Sequence, residues 1–389
     1  MAENKVVPKL RFGEFKEGWV LKILGDVGEL INGLTYSPND ITDDGILVLR
    51  SSNVQNNQLA FNDNVYVNVK SFNPVKENDI LICVRNGSKR LIGKNCLIDK
   101  TNEGVAFGAF MTVYRSINNK FILHLFSLSS YYKTIHQNLG ATINSINNND
   151  LRKFKFFFPP LPEQQKIASF LSAVDEKLQQ LTKKQELLAA YKKGVMQKIF
   201  SQELRFKSDN GNNYPDWEER KVEDLFIVTR GTVLAIPKIS PHKNDECPYP
   251  VYSSQTKNNG IAGYYKESLF EDAITWTTDG AQAGEVNFRK GKFYCTNVCG
   301  VLKSDEGYAN LCIAEKINRV SRRYVSYVGN PKLMNNVMAK IKISVPASLG
   351  EQQKIANFLS SLDSKIDLVS TQIENTKAFK KGLLQQMFV

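Results

Sequence analysis

The sequence lacks the marks of a secreted or membrane protein. Its first residues, MAENKVVPKL, contain no apolar core of a signal peptide. No apolar run approaches the roughly 18 residues of a membrane span. The six cysteines are scattered along 389 residues, a pattern typical of free thiols in a reducing compartment. We therefore expect a cytoplasmic protein with no membrane partner.

A recognisable catalytic constellation is also missing. The run Gly87 to Asn95 is the nearest to a phosphate-binding loop, but it has one residue too many and ends on Asn where magnesium needs a hydroxyl. The Pro-Pro pair at 159–160 lacks the flanking residues of the loop found in base-modifying amino-methyltransferases. The chain has three histidines, none of them placed with a nucleophile or a second ligand: His124, His136 and His242.

Metal and nuclease sites have weak signals. Cys295, Cys299 and Cys312 have no histidine nearby and no Cys-x-x-Cys spacing, so the sequence disfavours zinc. A nuclease centre of two carboxylates and a lysine is too loose a motif to exclude, and Glu14-Phe15-Lys16 is a match expected by chance. We predict a non-catalytic chain with no metal and no cofactor of its own.

What the chain does have is an excess of positive charge. The formal net charge is +12, which favours a polyanionic partner. Residues 163–203 carry +2 and residues 351–389 carry +1, which leaves +9 for the rest of the chain. Because most of the charge lies outside these two segments, we expect the globular parts to bind the partner.

The strongest pattern is an internal repeat. The stretch from Glu163 to Phe200 returns from Glu351 to Phe388 without a gap, with 18 identities in 38 positions. Both copies place apolar residues mostly at alternating steps of three and four, the spacing of a coiled-coil seam. Each copy predicts one helix of roughly 57 Å. Two independent surface helices are the alternative, but a narrow seam with charged flanks that occurs twice favours helices that pack on each other.

The globular parts are also duplicated. Leu10-Arg11-Phe12 and Trp19 open the first, and Leu204-Arg205-Phe206 and Trp217 open the second. Trp19 and Gly33 of the first part correspond to Trp217 and Gly231 of the second, each 198 residues later. We predict an α+β fold with two globular domains, 1–158 and 204–346, and two long helical segments, 159–203 and 347–389. The helices are expected to form an antiparallel coiled coil that relates the domains by a pseudo-two-fold repeat.

Short runs of β-forming residues alternate with turns in both domains. The predicted strands are 45–49, 64–67, 79–84, 108–114 and 153–158 in the first domain, and 250–252, 273–277 and 300–302 in the second. Helical spacing predicts helices over 120–139 and 323–338.

Polar turns at strand ends are the candidate binding residues. Arg, Asn and Gln can pair with base edges, while Ser, Thr and Lys can hold phosphates. Such clusters are also ordinary turns, and the positive charge favours nucleic acid as their role. The predicted DNA-binding residues of the first domain are Arg50, Ser52, Asn53, Arg85, Asn86, Ser88, Lys89, Arg90 and Asn144. Those of the second are Ser253, Gln255, Lys257, Asn258, Thr277 and Thr278.

With these residues in view, the chain resembles the specificity subunits of type I restriction-modification enzymes. The resemblance covers nearly the whole length and is most specific at 159–171, PPLPEQQKIASFL, and at 351–359. The second copy departs from the family pattern, because VPASLG at 345–350 replaces the Pro-Pro-Leu-Pro lead-in.

The resemblance implies target recognition domains that each read half of a bipartite site in double-stranded DNA. It also implies helices that space the halves and dock two modification subunits, which methylate adenine N6 with S-adenosylmethionine. Restriction subunits that act as ATP- and magnesium-dependent motors are further implied partners. An autonomous DNA-binding or scaffold protein, and an enzyme with an unrecognised site, are the alternatives.

Overall fold

The computed structural model describes residues 6–140, 144–254 and 257–389. The fold is α+β, and the chain packs as two units. Unit 1 comprises Met1–Thr182 and Thr371–Val389, and unit 2 comprises Lys183–Ser370. The division falls inside both long helices, so each unit contains one globular part and a segment of each helix.

Unit 1 holds twelve short strands and four short helices among its described residues. In chain order they are β1 (Val20–Ile23), α1 (Leu24–Val27), β2 (Glu29–Asn32), β3 (Ile41–Thr42), β4 (Ile46–Leu49), β5 (Val54–Gln55), β6 (Gln58–Leu59), β7 (Tyr66–Val67), β8 (Ile80–Cys83), β9 (Asn95–Leu97), β10 (Ala106–Phe107), β11 (Met111–Arg115), α2 (Asn119–Leu125), α3 (Ser129–Gln137), α4 (Asn148–Arg152) and β12 (Lys155–Phe158). The first long helix, α5 (Leu161–Phe200), follows.

Two four-stranded sheets form the body of unit 1, in the orders β2-β11-β8-β9 and β10-β4-β7-β3. The first sheet is antiparallel, and its central strand β8 is fully buried. β1 and β12 pair as a separate antiparallel ribbon where the chain enters and leaves the globular part. Each predicted strand of this domain overlaps an observed strand, so these predictions are confirmed.

Unit 2 repeats this plan with longer strands. Its elements are β13 (Trp217–Lys221), α6 (Val222–Leu225), β14 (Ile227–Arg230), β15 (Tyr249–Tyr252), β16 (Ile261–Tyr265), β17 (Phe270–Thr277), β18 (Val286–Cys295), β19 (Cys299–Lys303), α7 (Leu311–Ser321), α8 (Asn335–Ala339), β20 (Lys342–Pro346) and the second long helix α9 (Leu349–Met387). The six-stranded sheet has the order β14-β19-β17-β18-β15-β16, and β13 pairs with β20 as β1 pairs with β12.

The order β14-β19-β17 in unit 2 corresponds to β2-β11-β8 in unit 1. The repeated glycine after the first of these strands has a physical cause. A Cβ on Gly33 would lie 2.2 Å from the carbonyl oxygen of Gly108, and one on Gly231 would lie 2.2 Å from that of Cys295. Backbone passes too close for any side chain at either position, so both copies retain glycine.

Segments of the two long helices pack together within each unit. In unit 1, Leu171 of α5 and Leu383 of α9 belong to one buried cluster, and Lys380 donates to Asp175 at 2.5 Å. In unit 2, Lys192 of α5 donates to Asp363 of α9 at 2.7 Å, and Gln185 donates to Ser370 at 2.6 Å. At the repeat offset of 188, Asp175 corresponds to Asp363 and Lys192 to Lys380.

The Leu-Arg-Phe openings bind the starts of the long helices. Arg11 donates to both carboxylate oxygens of the fully buried Glu163, each at 2.7 Å. Arg205 repeats this bidentate pair with the buried Glu351, at 3.1 and 2.9 Å. The hydrogen bond to Glu163 raises the pKa of Arg11, and the bond to Glu351 does the same for Arg205.

Two predicted helices differ from the structure. The stretch predicted at 120–139 forms two helices, α2 and α3, with a break at Phe126–Leu128. The helix predicted over 323–338 is wrong for most of its length, because the chain forms a short hairpin there and α8 begins only at Asn335. The main helix of this domain is α7, which the sequence pattern did not predict. No helix among the described residues is long and apolar enough to cross a membrane.

Candidate nucleic-acid interface

Three of the predicted polar runs come together in unit 1. The turn after β8 lies beside the turn before α4, because the amide of Asn86 donates to the carbonyl of Asn144 at 3.2 Å. The side chain of Asn144 donates back to the carbonyl of Gly87 at 3.0 Å. The side chain of Asn86 reaches the third run and donates to Ser51 Oγ at 2.9 Å. Residues far apart in the chain therefore form one polar surface.

The cations of this surface are exposed. The Arg85 guanidinium lies over the half-exposed ring of Phe110, 5.0 Å from its centroid. Lys89 and Arg90 lie in the single 3-10 turn that Ser88 precedes, and all three are exposed. In the part of the chain that the structure describes, neither Lys89 nor Arg90 has an acidic partner. These side chains can contact phosphates.

The residues that follow β4 mainly stabilise their own turn. Asn53 is completely buried, donates to the carbonyl of Ala60 at 2.9 Å and accepts from the amide of Arg50 at 2.9 Å. Arg50 pairs with Asp63 at 2.9 Å. Ser52 is half-buried, and its carbonyl accepts from Gln55 at 3.1 Å. Asn53 therefore holds the turn in shape, and its side chain is not free to contact a ligand.

Matching hydrogen bonds identify the corresponding place in unit 2. The amide of Val84 donates to the carbonyl of Phe110, and that of Thr278 donates to Val298, at 3.0 and 3.1 Å. The carbonyl of Val84 accepts from Ile146, as that of Thr278 accepts from Leu333. The turn at 84–86 therefore corresponds to 278–280, and the loop at 144–146 to 331–333.

The two corresponding turns carry different charges. Asp279 stands where unit 1 has Arg85, and Arg230 pairs with it at 3.2 Å. Thr277 and Thr278 are buried, and Thr278 Oγ accepts from Arg230 at 2.9 Å while donating to the carbonyl of Val298. Both threonines were predicted as DNA ligands. Thr278 instead makes internal hydrogen bonds, and the Thr277 side chain is buried.

The remaining predicted residues follow β15. Ser253 is half-buried and accepts from Thr296 at 3.2 Å, and Asn258 is exposed with a φ of +51°. Lys257 begins a 3-10 turn, and Gln255 lies outside the described residues. Beside them the Arg289 guanidinium stacks on Tyr252 at 3.9 Å and donates to the carbonyl of Asn259 at 2.8 Å. Burial lowers the pKa of Arg289.

Sequence reasoning missed one exposed feature of unit 2. Ser326 and Lys332 exchange backbone hydrogen bonds of 2.8 and 2.9 Å, and the tip between them exposes Tyr327 and Val328. The signal was present, since Gly329-Asn330-Pro331 is a turn sequence that interrupts a helix. Among the described residues no group of three or more His, Cys, Asp or Glu side chains is placed to hold a metal ion.

Comparison with known proteins gives consistent matches. The family described as "Type I restriction modification DNA specificity domain" matches residues 16–189 and 214–377. The type I restriction enzyme EcoKI specificity subunit of Escherichia coli K12 is 32% identical, over 96% of this chain and 88% of that protein. The type I restriction-modification S subunit of M. genitalium has a similar fold, with a TM-score of 0.70 over 99% of both chains at 18% identity.

Proposed function

Because the chain belongs to the type I restriction-modification DNA specificity family, we propose that each of its units reads one half of a bipartite, asymmetric DNA site. The observation that carries this proposal is the duplication itself. Both units share an order of three strands and the same strand-end turn, but one turn carries Arg85 and the other Asp279. Two units that share a strand order but expose different side chains are suited to reading two different half-sites.

In unit 1 the proposed DNA surface consists of the exposed cations Arg85, Lys89 and Arg90 with the amides of Asn86 and Asn144. Lysine and arginine side chains in an exposed turn can hold phosphates, while arginine and asparagine can pair with purine edges. The hydrogen bonds between the two turns support this assignment, because they hold the polar groups in fixed positions before DNA binds.

The long helices are proposed to form an antiparallel coiled coil that sets the spacing between half-sites. Pairs within the units support this. Moving seven residues along α5 from Gln185 to Lys192 moves the partner seven residues back along α9, from Ser370 to Asp363. A step of seven is one heptad, the repeat of a coiled coil.

The helices also offer two equivalent docking sites for a partner present in two copies. Tyr191 and Phe379 correspond at the repeat offset, and each is 54% exposed. Each precedes Lys-Lys-Gly, and a Cβ built on Gly194 or Gly382 would meet no neighbouring atom within 4 Å. Glycine inside a helix costs about 1 kcal/mol relative to alanine. Since the fold does not require it, close approach of a partner helix explains both glycines.

We propose that these partners are the two modification subunits, with restriction subunits joining the assembly in the cytoplasm. S-adenosylmethionine, ATP and magnesium would be bound by the partners, and this chain would contribute recognition alone. The specificity subunits among its relatives support this division of labour.

The function is tested by co-expressing the chain with its modification subunit in a methylation-free host and mapping methyladenine across the genome. We expect a two-part motif with a fixed gap, and exchange of residues 204–346 for those of another specificity subunit should alter one half. A soluble assembled complex that produces no methylation above background would contradict the proposal and favour an autonomous DNA-binding protein.

The proposed surface of unit 1 is tested with Arg85, Lys89 and Arg90 all replaced by alanine. Removing the charge that neutralises one phosphate should reduce the slope of log affinity against log salt by about 0.9. The slope should therefore flatten by up to about three in DNA-binding assays of the complex. The control replaces Lys22, Lys153 and Lys155, three exposed lysines on and beside the β1–β12 ribbon. Equal slopes for the wild type and the triple variant would mean that the DNA phosphates are not bound by Arg85, Lys89 and Arg90.

A further inference from the structure

The hairpin Ser326–Lys332 of unit 2 exposes apolar side chains that the fold does not use. Val328 is 92% exposed, more than any other large apolar side chain among the described residues, and Tyr327 is 70% exposed. Gly329, with a φ of +75°, turns the chain immediately after them. Both side chains therefore stand at the tip, where they contribute little to the stability of unit 2.

The base of the hairpin is fixed to the sheet. Gly280 donates its amide to the carbonyl of Pro331 at 2.9 Å, and Leu333 donates to Thr278 at 2.8 Å. Leu333 is completely buried, which anchors the strand that leaves the hairpin. A tip held at a defined place on a strand-end turn can bind a partner with little loss of conformational entropy.

The surroundings of the tip are positively charged. Arg322, Arg323 and Lys332 are exposed beside it. The two nearby carboxylates face cations: Asp279 pairs with Arg230 at 3.2 Å, and Glu285 lies 4.0 Å from Arg322. An apolar tip between cations is complementary to DNA, in which base edges lie between two rows of phosphates.

The position of the hairpin in the fold agrees with this charge. It occupies in unit 2 the place of the loop that contributes Asn144 in unit 1, and that loop is hydrogen-bonded to the basic turn. Unit 2 has no basic turn there, because Asp279 and Gly280 replace Arg85 and Asn86. The hairpin and the residues beside it therefore supply the positive charge at this end of the sheet, as the basic turn does in unit 1.

We propose that this hairpin is the base-reading element of unit 2, and that Val328 contacts the 5-methyl group of a thymine. The major groove admits a two-stranded β-ribbon, and apolar side chains recognise thymine there by its methyl group. Tyr327 packs beside Val328 on the same base step, and Arg323 and Lys332 contact the flanking phosphates. The inference rests on the proposed function, since it assumes that unit 2 reads half of a DNA site.

The test uses the assembled complex and a duplex that contains its mapped site. Each thymine of the half-site assigned to unit 2 is replaced in turn by uracil, which lacks only the methyl group. At one position the wild type should lose affinity by about fourfold, the effect of one buried methylene-sized group. Val328→Ala should lose a similar factor on the thymine duplex and should no longer distinguish uracil from thymine.

The matched control is Ile227→Ala. Ile227 is also in unit 2 and 59% exposed, but it lies at the opposite end of β14 from Arg230, and its replacement should leave both affinities unchanged. The thermal unfolding of Val328→Ala should match the wild type, because the side chain touches solvent in the free protein.

Three results would overturn the proposal. The first is a wild type that tolerates uracil at every position, or a half-site without thymine on either strand. The second is a Val328→Ala complex that retains the same uracil sensitivity. The third is a Val328→Ala chain that assembles less with its partners, while the fraction that does assemble binds the thymine duplex as tightly as the wild type, which would make the tip a protein-docking surface. Absence of any two-part methylation motif would instead contradict the proposed function itself.

Discussion

At the scale of single residues, the pair between Arg11 and Glu163 explains why two distant motifs recur together. The guanidinium of one motif binds both oxygens of a buried carboxylate in the other, and Arg205 and Glu351 repeat the geometry in unit 2. A buried carboxylate without its partner is strongly destabilising. Neither member can therefore change alone, and both copies keep both members.

Glu163→Gln is expected to destabilise the chain by about 3 kcal/mol, because it leaves Arg11 partly buried without a counter-charge. Chemical denaturation measures the loss. Arg11→Met combined with Glu163→Met should recover most of it, since a well-packed apolar pair can replace a buried ion pair. Glu163→Gln with wild-type stability would mean that the pair contributes nothing to the fold.

His124 gives a pH dependence that follows from burial. It is on α2, with Nε2 3.4 Å from Ser172 Oγ and Nδ1 3.8 Å from Asp175, which also accepts from Lys380. Burial lowers the pKa of His124 to about 4, from an ordinary value of 6.5. Because the unfolded chain binds this proton more readily, the stability of the folded state falls as the pH drops from about 6.5 to about 4.

His124→Gln should remove this dependence, since the amide cannot take up a proton. Between pH 7 and pH 4 the wild type should lose up to about 3 kcal/mol of unfolding free energy relative to the variant, measured by denaturation at a series of pH values. His136→Gln is the control, because His136 is exposed on α3. Parallel curves for the wild type and His124→Gln would contradict the assignment.

At the scale of elements, the long helices were the most predictable part of the chain. Thirty-eight residues with a regular apolar seam can bury that seam only as helices, and α5 and α9 begin within two residues of the predicted starts. The short elements of unit 2 were less predictable. The stretch 323–338 has helical spacing, but Gly329 and Pro331 interrupt it, and local chemistry overrides apolar periodicity at such points.

The docking sites proposed on the two helices lead to a prediction that can be made for both copies. Tyr191→Ala and Phe379→Ala should each weaken binding of one partner copy by about 2 kcal/mol, the effect of an aromatic hot spot, and the double variant should lose both copies. Native mass spectrometry of the assembled complex measures the stoichiometry. Leu368→Ala is the control, because Leu368 is 60% exposed but its repeat counterpart is the polar Gln180.

Gly194→Ala separates docking from stability. Alanine should strengthen the helix by up to about 1 kcal/mol and weaken partner binding if a helix packs closely there. A stronger helix and unchanged binding together would remove the glycine from the proposed interface.

At the scale of the whole molecule, the chain is a duplicated frame with diverged surfaces. Packing divides it within the long helices, at 182–183 and 370–371, whereas the boundaries predicted at 158, 203 and 346 follow sequence similarity and remain predictions. The proposed ruler role of the helices belongs to this scale, since it concerns the gap between two half-sites.

Deleting 178–184 from α5 together with 371–377 from α9 removes one heptad from each helix. The pairs Asp175–Lys380 and Lys192–Asp363 are retained. Removal of seven residues shortens each helix by about 10 Å, or about three base pairs of DNA. The methylation motif should keep both half-sites and gain a shorter gap. A motif with altered half-sites and the original gap would refute the ruler role.

Local patterns in the sequence were enough to predict the duplication, the α+β class and the two long helices, because repeats and apolar periodicity survive divergence. The resemblance to the family rested on the motifs at 159–171 and 351–359. Only the tertiary structure shows which polar residues lie together on a surface. Asn53 and Thr278 resemble Asn86 and Arg85 as members of polar turns, yet the first two are completely buried. Asn86 is half-buried and Arg85 is exposed, and both stand at a surface assembled from distant runs. Burial and proximity depend on contacts between residues far apart in the chain, so composition and spacing cannot specify them.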